Sequence, residues 1–595
     1  MQILEYPFDS ALLTKKRKSI KRELLAQNVQ FLDKKIAILG GSTTSGIKDM
    51  LELFLLNQQI KPVFFESEYG QYWQDAMFNE ELAVFAPDII FIHTSFRNIT
   101  QLPELQDSEL VVNEKLQLQF EHFSAMWDTL AQKFKCPIIQ NNMDRPLYRL
   151  LGNKDISDIH GATNFASRLN QLFYEYAQTH TDFYINDIDY LAAAYGLDKW
   201  HDPHNWYMYK YVLSIGAIPE FAFNVANIMK SIYGKNKKAL VLDLDNTLWG
   251  GVVGDDGVEN LALGPEVSMG QAFSEFQEYI KKHKALGITL NVCSKNDEEN
   301  AFAGLNHPDS VLLPDDFIVI KANWEHKNLN IAEIASILNI GQDALVFVDD
   351  NPAERAIVQE NLPMIAVPNI GEVEQYILRL NNAGYFEVTT FSADDSKRNE
   401  MYKQNAERAK MQTQFTDYGA FLDSLEMQAE IKPFEPMYIG RITQPTNKSN
   451  QFNLTTKRYT ESEMTAVMRS DNHIAFYGRL IDKFGDNGIV SIVVGEVKQT
   501  VLHVDLWLMS CRVLKREMEF AMFDEMVKAC KEQGILTICG YYYKTAKNNM
   551  VKDFYATLSF EKIKEDEQGN SEWQYNIREH KVKNAHICVN EQECI

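Results

Sequence analysis

Asp243 and Asp245 close an apolar run in "LVLDLDNTLWGGVVGDDG" (240–257), with Thr247 and a glycine-rich turn behind them. Alternate residues of a strand point the same way, so the two carboxylates share a direction. One can attack a phosphorus atom while the other delivers a proton to the leaving oxygen. A carboxylate and a phosphate repel each other, so the pattern calls for a cation. Mg²⁺, which takes few protein carboxylates and keeps several waters, suits that task. Three later strand ends carry the remaining parts. Ser294 in "NVCSKND" offers a hydroxyl to a phosphate oxygen, and Lys327 in "NWEHKNLNI" offers a fixed positive charge. Asp349 and Asp350 in "VFVDDNPAER" complete an expected metal site with Asp243 and Asp245.

Two other regions hold reactive side chains. "LWLMSCRVLKREME" (506–519) sets Cys511 where a strand gives way to a helix, beside Arg512. Helix N-terminal amides and a neighbouring cation favour a thiolate there. Cys293, next to Ser294, is a second candidate thiol. Near the amino end, "IAILGGSTTSGI" puts Ser42 directly after a strand, and "DKWH" supplies Asp198 and His201.

These residues need strand ends to hold them. "KIAIL", "PVFF", "DIIFIH", "PIIQ" and "FYIND" alternate with amphipathic stretches through the first 235 residues, which predicts a parallel sheet wrapped by helices. A second such unit runs through "ALVLDLD", "ITLNVCS", "DFIVI", "ALVFVDD" and "MIAV". In open parallel sheets ligands gather at the carboxyl ends of the strands, where the acids fall. The last part reads strand, two helices, three strands, helix, strand and hairpin, an α+β unit with a mainly antiparallel sheet. The expected division is 1–235, 236–375, a helical connector over 376–412, 413–582 and a tail over 583–595.

Composition limits the partners. The 595 residues suit about three to four domains. A net charge of -23 argues against a general nucleic-acid binder, which needs a basic face. No apolar run approaches the roughly 20 residues that span a bilayer, and the first residues lack a signal-peptide core. Seven scattered cysteines without CxxC spacing predict reduced thiols, and a cytoplasmic protein without membrane association is expected.

The motifs resemble known families. "DLDNTLWGG", "CSKND", Lys327 and "FVDDNPAER" resemble the four motifs of the haloacid-dehalogenase (HAD) superfamily. The resemblance implies a Rossmann-like domain with Asp243 as the nucleophile that forms an aspartyl-phosphate and Asp245 as general acid/base. Thr247 would support the loop and bind phosphate with Ser294 and Lys327, while Asp349 and Asp350 would bind Mg²⁺. No domain-sized insert follows the first or second motif, so the pocket is expected to lack a large cap and to open to a large partner.

The last unit resembles the GNAT acyltransferase fold, but Lys515 and Glu517 stand where that fold has the glycines that approach coenzyme A pyrophosphate. A phosphopantetheine arm, which lacks the nucleotide, is the better-matched occupant. A basic strip of Lys448, Lys457, Arg458, Arg512, Lys515, Arg516, Lys544, Lys547 and Lys552 is expected to dock an acidic carrier. The first unit resembles the SGNH hydrolases, with Gly40-Gly41-Ser42 in place of Gly-Asp-Ser and Asn98 as a loose substitute for their Gly-x-Asn-Asp. Ser42 would be its nucleophile and Asp198 and His201 its late pair. The expected class is an SGNH- or flavodoxin-like three-layer domain, and the other reading is a related scaffold that docks the partner or shapes the shared site.

Taken with "TNKSNQFNLTTKRY" (446–459), "DKFGDNG", "SCRV" and "YYYKTAKNNMVKDFY", the whole resembles the FkbH-like family, HAD subfamily IIIC. That resemblance implies a glyceryl thioester on a phosphopantetheinylated acyl carrier protein, made from 1,3-bisphosphoglycerate, a phosphorylated three-carbon acyl donor. Cys511 would carry the acyl group. The alternative is a stand-alone phosphomonoesterase acting on a small phosphorylated metabolite.

Overall fold

The computed structural model describes residues 1–391, 397–448, 452–510, 513–545 and 548–590. It divides into two compact units, Met1–Ile232 with Thr460–Glu463, and Tyr233–Tyr459 with Met464 onward.

The first unit is a five-stranded parallel sheet of β1 (Leu32–Gly40), β2 (Ile60–Glu66), β3 (Ile89–His93), β4 (Ile138–Asn141) and β5 (Phe183–Asn186). Its order is β2-β1-β3-β4-β5, so the chain reverses direction across the sheet at β1 and β3. Strand β3 is buried along its whole length, as expected where helices cover both faces. Helix Glu109–Phe134 packs Phe123 and Trp127 onto that core.

The second unit holds two sheets. The first joins β6 (Ala239–Leu242), β7 (Thr289–Ser294), β8 (Val319–Ala322) and β9 (Leu345–Val348) in the order β8-β7-β6-β9, all parallel. The expected strand "MIAV" is reduced to one parallel bridge, Val346 with Ala366. Between β6 and β7 lie only short helical turns and helix Gly270–Ala285, with no cap domain.

The second sheet contains β10 (Met427–Pro433), β11 (His473–Asp482), β12 (Gly485–Lys498), β13 (Val501–Met509), β14 (Thr537–Tyr542), β15 (Glu561–Glu565), β16 (Ser571–Asn576) and β17 (Ile587–Val589). Its order is β15-β16-β14-β13-β12-β11-β10-β17, and only the pairs β13–β14 and β10–β17 are parallel. The segment expected to be a tail supplies β17, whose Ile587 and Val589 are buried beside β10. Three residues are too short to leave a periodic signal.

Strands β13 and β14 pair only over Val501–Val504 and Thr537–Gly540, and then diverge. The gap is bridged by Phe452–Leu454. Leu454 N donates to Trp507 O (3.1 Å), Met509 N to Phe452 O (3.0 Å) and Tyr543 N to Leu454 O (2.9 Å). Asn548 Nδ2 donates to Asn453 O at 3.0 Å. The "FNL" part of the long motif (452–454) therefore completes the sheet and satisfies backbone groups that divergence would orphan.

Helix Arg398–Gln412 links the two sheets of this unit. Tyr402 enters the core under β6–β9, and Met411 packs on the core of the larger sheet.

Candidate active site

The acids, hydroxyl and lysine meet at the carboxyl ends of the four-stranded sheet. Asp243 and Asp349 are the first residues past β6 and β9, which pair in parallel as Leu242 with Val348. Ser294 is the last residue of β7, and Lys327 opens helix Lys327–Ile337 after β8. An apolar strand running into a polar residue at its end is what a buried parallel sheet requires, because only the strand tips reach polar surroundings.

Lys327 is almost fully buried, with Nζ 2.9 Å from Asp243 Oδ2 and 2.5 Å from Asp349 Oδ2. Burial works against its ammonium, but Asp243 and Asp349 outweigh that and its pKa is raised above the ordinary lysine value. Burial pushes the Asp349 carboxyl up to about 6, with the Asp243 charge adding to it and Lys327 opposing it. Asp350 is raised by burial and by Asp243. Carboxylate oxygens of Asp243, Asp349 and Asp350 lie within 4.8 Å of one another. Asp243 Oδ1 is buried and accepts no hydrogen bond. Three carboxylates cluster around an ammonium that pairs with two of them, so a hard cation fits the surplus charge and the orphaned oxygen, and an all-oxygen donor set suits Mg²⁺.

The Asp245 side chain is not one of those grouped oxygens, which departs from the expected four-acid metal site. Its Oδ1 accepts from Trp249 Nε1 (2.9 Å) and Val253 N (3.1 Å), and its Oδ2 from Asn296 Nδ2 (3.0 Å). Burial raises its pKa, and the Asp243 charge adds to that against these hydrogen bonds. The group is therefore held apart from the cluster and biased toward carrying a proton. Thr247 is buried, accepts from Asp350 N (3.2 Å) and donates to Asp350 Oδ1 (3.4 Å), so its hydroxyl joins two loops. No described residue takes the Ser294 hydroxyl, while its carbonyl accepts from Asn323 N.

Four residues were not singled out from sequence. Trp249 and Asn296 orient Asp245. Arg355 Nη1 donates to the carbonyls of Asp349 (2.7 Å) and Asp350 (2.6 Å). Tyr376 OH donates to Asn246 O at 2.9 Å, steadying the left-handed residue directly after Asp245. Trp249 and Arg355 lie inside the motifs, but their polar atoms face inward only once the turns have formed.

The other candidates divide. Cys293 is fully buried in the core below the sheet, its thiol pushed up to about 12 by burial, and it donates weakly to Lys327 O. It points away from Ser294 because strand neighbours face opposite sides, so it is a core thiol. Cys511 lies outside the described residues, as do Arg512, Lys547 and the side chain of Lys448. Arg516 is not part of an exposed strip: it is buried against Asp482 (3.0 Å) and Asn487 (3.2 Å). Lys457 pairs with Asp505 at 3.0 Å. Among the described residues Cys136, Cys293, Cys530 and Cys539 are free, but Cys588 is disulfide-bonded, against the expectation of reduced thiols throughout.

In the first unit Ser42 is buried and its Oγ has no hydrogen-bond partner. Asn98 donates to Gly41 O at 3.2 Å, and a Cβ on Gly41 would lie 2.4 Å from that amide. His201 does not pair with Asp198, which is exposed. Its Nε2 stands 3.6 Å from Asp144 Oδ2 and 3.4 Å from Arg145 O, and its Nδ1 stands 3.3 Å from Val212 O. Both ring nitrogens are occupied by local acceptors, which suits a structural imidazole better than a general base for Ser42.

A parallel sheet with a carboxylate trio, a buried lysine and an open serine hydroxyl at its tips defines a phosphatase of the haloacid-dehalogenase type. The family model "FkbH, N-terminal domain" matches residues 35–230. A solved structure of the N-terminal part of the protein BF1531 from Bacteroides fragilis, containing a phosphatase domain and complexed with Mg, is 32% identical with a TM-score of 0.59. That match covers 63% of this chain and 99% of the other. The chain belongs to the FkbH-like family of HAD enzymes. Two acetyltransferases each match 25% of the chain with a TM-score of 0.20. They are the ribosomal-protein-S18-alanine N-acetyltransferase from Escherichia coli (11% identity, 94% of that chain) and Ard1 from Thermoplasma volcanium (16% identity, 97% of that chain). No curated protein matches the chain. Among the described residues no helix is long and apolar enough to cross a membrane.

Proposed function

We propose that this chain uses HAD phosphoryl chemistry to load a three-carbon acyl group onto a carrier protein, with 1,3-bisphosphoglycerate as donor. The observation that carries the reading is the orphaned Asp243 oxygen beside Lys327, Asp349 and Asp350. The Mg bound by the Bacteroides fragilis protein supports the same ion here. Asp243, Asp349 and Asp350 would hold Mg²⁺, which when bound neutralises charge between the attacking carboxylate and the phosphate.

An Asp243 oxygen attacks the ester phosphorus, the bond from phosphorus to the sugar-acid oxygen breaks, and Asp245 gives that oxygen its proton. Water then cleaves the aspartyl-phosphate, Asp245 takes the proton back, and inorganic phosphate leaves. Ser294 and Lys327 hold the transferred group. The acyl phosphate at the other end stays activated. The Cys511 thiolate adds to its carbonyl and expels phosphate, and the carrier's pantetheine thiol next takes the acyl group and frees Cys511. Sequence alone supports the role of Cys511.

Mass spectrometry of a phosphopantetheinylated carrier incubated with the protein, Mg²⁺ and 1,3-bisphosphoglycerate tests the reading. A glyceryl adduct is expected on the arm, lost in both Asp243→Asn and Cys511→Ala. An unmodified arm beside active phosphate release refutes acyl loading and favours a stand-alone phosphomonoesterase.

A further inference from the structure

Helix Pro203–Tyr209, "PHNWYMY", lies over the carboxyl-end side of the five-stranded sheet yet buries none of its residues. Both ends are fastened. The Asp202 side chain caps its amino end by accepting from Asn205 N. At the other end Thr43 N donates to Lys210 O (3.0 Å), Thr43 Oγ1 to Tyr209 O (2.7 Å), and Ser45 Oγ meets Tyr211 OH at 2.9 Å. Tyr207 is 73% exposed, and Met208 and Tyr209 are exposed with it.

A second exposed apolar segment follows on a loop joined to the residues just before this helix. The loop after β4 is tied to the start of this helix, because Trp200 Nε1 donates to Asp144 (3.1 Å) and His201 Nε2 meets Arg145 O (3.4 Å). A few residues on, Tyr148 and Leu150 are 79% and 74% exposed. Soluble proteins rarely hold large apolar side chains together in water without a partner for them.

The charge around this face points to the partner, with exposed Asp198 and the capping Asp202 outnumbered by cations. Arg97 lies 4.2 Å over the Trp206 ring and Lys210 Nζ lies 5.3 Å from it. Arg149 donates only to the Asn153 amide, and Lys199 is exposed. Among the described residues none of these four cations forms an ion pair, although the whole chain carries a net charge of -23. Unpaired cations ringing rigid aromatic anchors complement an acidic surface that offers apolar side chains between its carboxylates.

We propose that this face, built from 147–150 and 203–210, docks an acidic protein domain, which on the loading reaction above is the acyl carrier protein. Pinning both ends of a helix that puts none of its side chains into the core holds the aromatic rings in place before the partner arrives, so little order is lost on binding.

The test uses the full chain and an acidic acyl carrier protein in two forms, one lacking and one bearing phosphopantetheine. Two double variants change exposed residues only: Tyr207→Ser with Met208→Ser, and Arg149→Glu with Lys199→Glu. Binding of the fluorescent arm-less carrier is expected to weaken by about tenfold in each, and the charge-reversed pair should lose most of its salt dependence. Hydrolysis of p-nitrophenyl phosphate should stay at the parental rate. Unchanged carrier affinity in both variants overturns the proposal, as does a variant that changes only the oligomeric mass by light scattering. If the parent binds through this face but never acquires an acyl adduct on the armed carrier, the docking surface stands and the loading reaction falls. If variants bind and load as the parent does, the reverse holds.

Discussion

The indole nitrogen of Trp249 lies 2.9 Å from Asp245 Oδ1, four residues along the same turn, and fixes the direction in which that carboxyl can act. The indole itself is fully buried against Gly304, where a Cβ would stand 2.6 Å from the ring. A glycine in helix Glu298–Leu305 thus makes room for the ring that orients the acid.

Trp249→Phe keeps most of the packing and removes one donor. Asp245 Oδ1 then relies on Val253 N alone, and the carboxyl can rotate. Phosphate release should fall in kcat by about tenfold to a hundredfold, a part of the general-acid contribution, with KM little changed. Gly304→Ala should act in the same direction by displacing the ring. Steady-state kinetics of both variants check this, and a loss confined to KM would contradict it.

Lys327 separates two carboxylates that would otherwise face each other in a buried site. Lys327→Met should destabilise the metal-free protein by about 3 kcal/mol or more, the cost of breaking a buried ion pair from one side. Added Mg²⁺ should then restore more stability to the variant than it adds to the parent, because the ion takes over the missing charge. In Asp349→Asn the Mg²⁺-dependent rise in melting temperature, which follows mass action, should vanish. Thermal unfolding with and without chelator measures all three.

Much of this site was legible in sequence because it sits where strands end. Apolar runs terminating at Asp243, Ser294 and Asp349 fix those residues at one edge of a parallel sheet, and the sheet does the rest. Tertiary side-chain contacts were not legible. Asn296 reaches Asp245 across 51 positions of sequence, and Tyr376 reaches Asn246 across 130. Periodicity cannot report such separations. One member of the basic strip was misread for a related reason: Arg516 looks exposed in a charged run, but the fold turns it onto Asp482. The pairing of His201 with Asp144 rather than Asp198 follows from how two loops close, which local spacing does not encode.

His93, at the end of β3, should make the protein acid-sensitive. Burial lowers its pKa from 6.5 to about 3; the Asn141 amide donates to Nδ1, and Nε2 has no partner. The unfolded chain takes up this proton near its ordinary value, while the folded chain resists until far lower pH. Between the two the unfolded state binds more protons, so this contribution is intact above about pH 6.5 and is lost as pH falls, by about 1.4 kcal/mol per pH unit. Urea unfolding at pH 7.0 and about pH 5.5 should show the loss in the parent, and His93→Gln should flatten it. Equal slopes in both proteins would rule His93 out as the cause.

Asp482 ties helix Arg398–Gln412 to the loop that follows β13. Its Oδ1 accepts from Arg408 Nη2 (2.6 Å) and its Oδ2 from Arg516 Nη1 (3.0 Å), with both guanidinium groups buried. Asn405 Oδ1 binds both arginines, at 2.9 Å from Arg408 and 2.6 Å from Arg516. At its other end the same helix is held by Asn399 Nδ2 on Lys284 O (2.7 Å) and by Tyr402 in the core below β6–β9. Asp482→Asn leaves two buried guanidinium groups facing a neutral amide and should cost about 3–5 kcal/mol. Because the helix is shared, the loss should appear as one unfolding transition separating into two in calorimetry, with the region around β10–β17 melting first. Arg516→Ala should show the same separation while leaving carrier affinity unchanged, since its guanidinium lies inside this cluster and not on the surface.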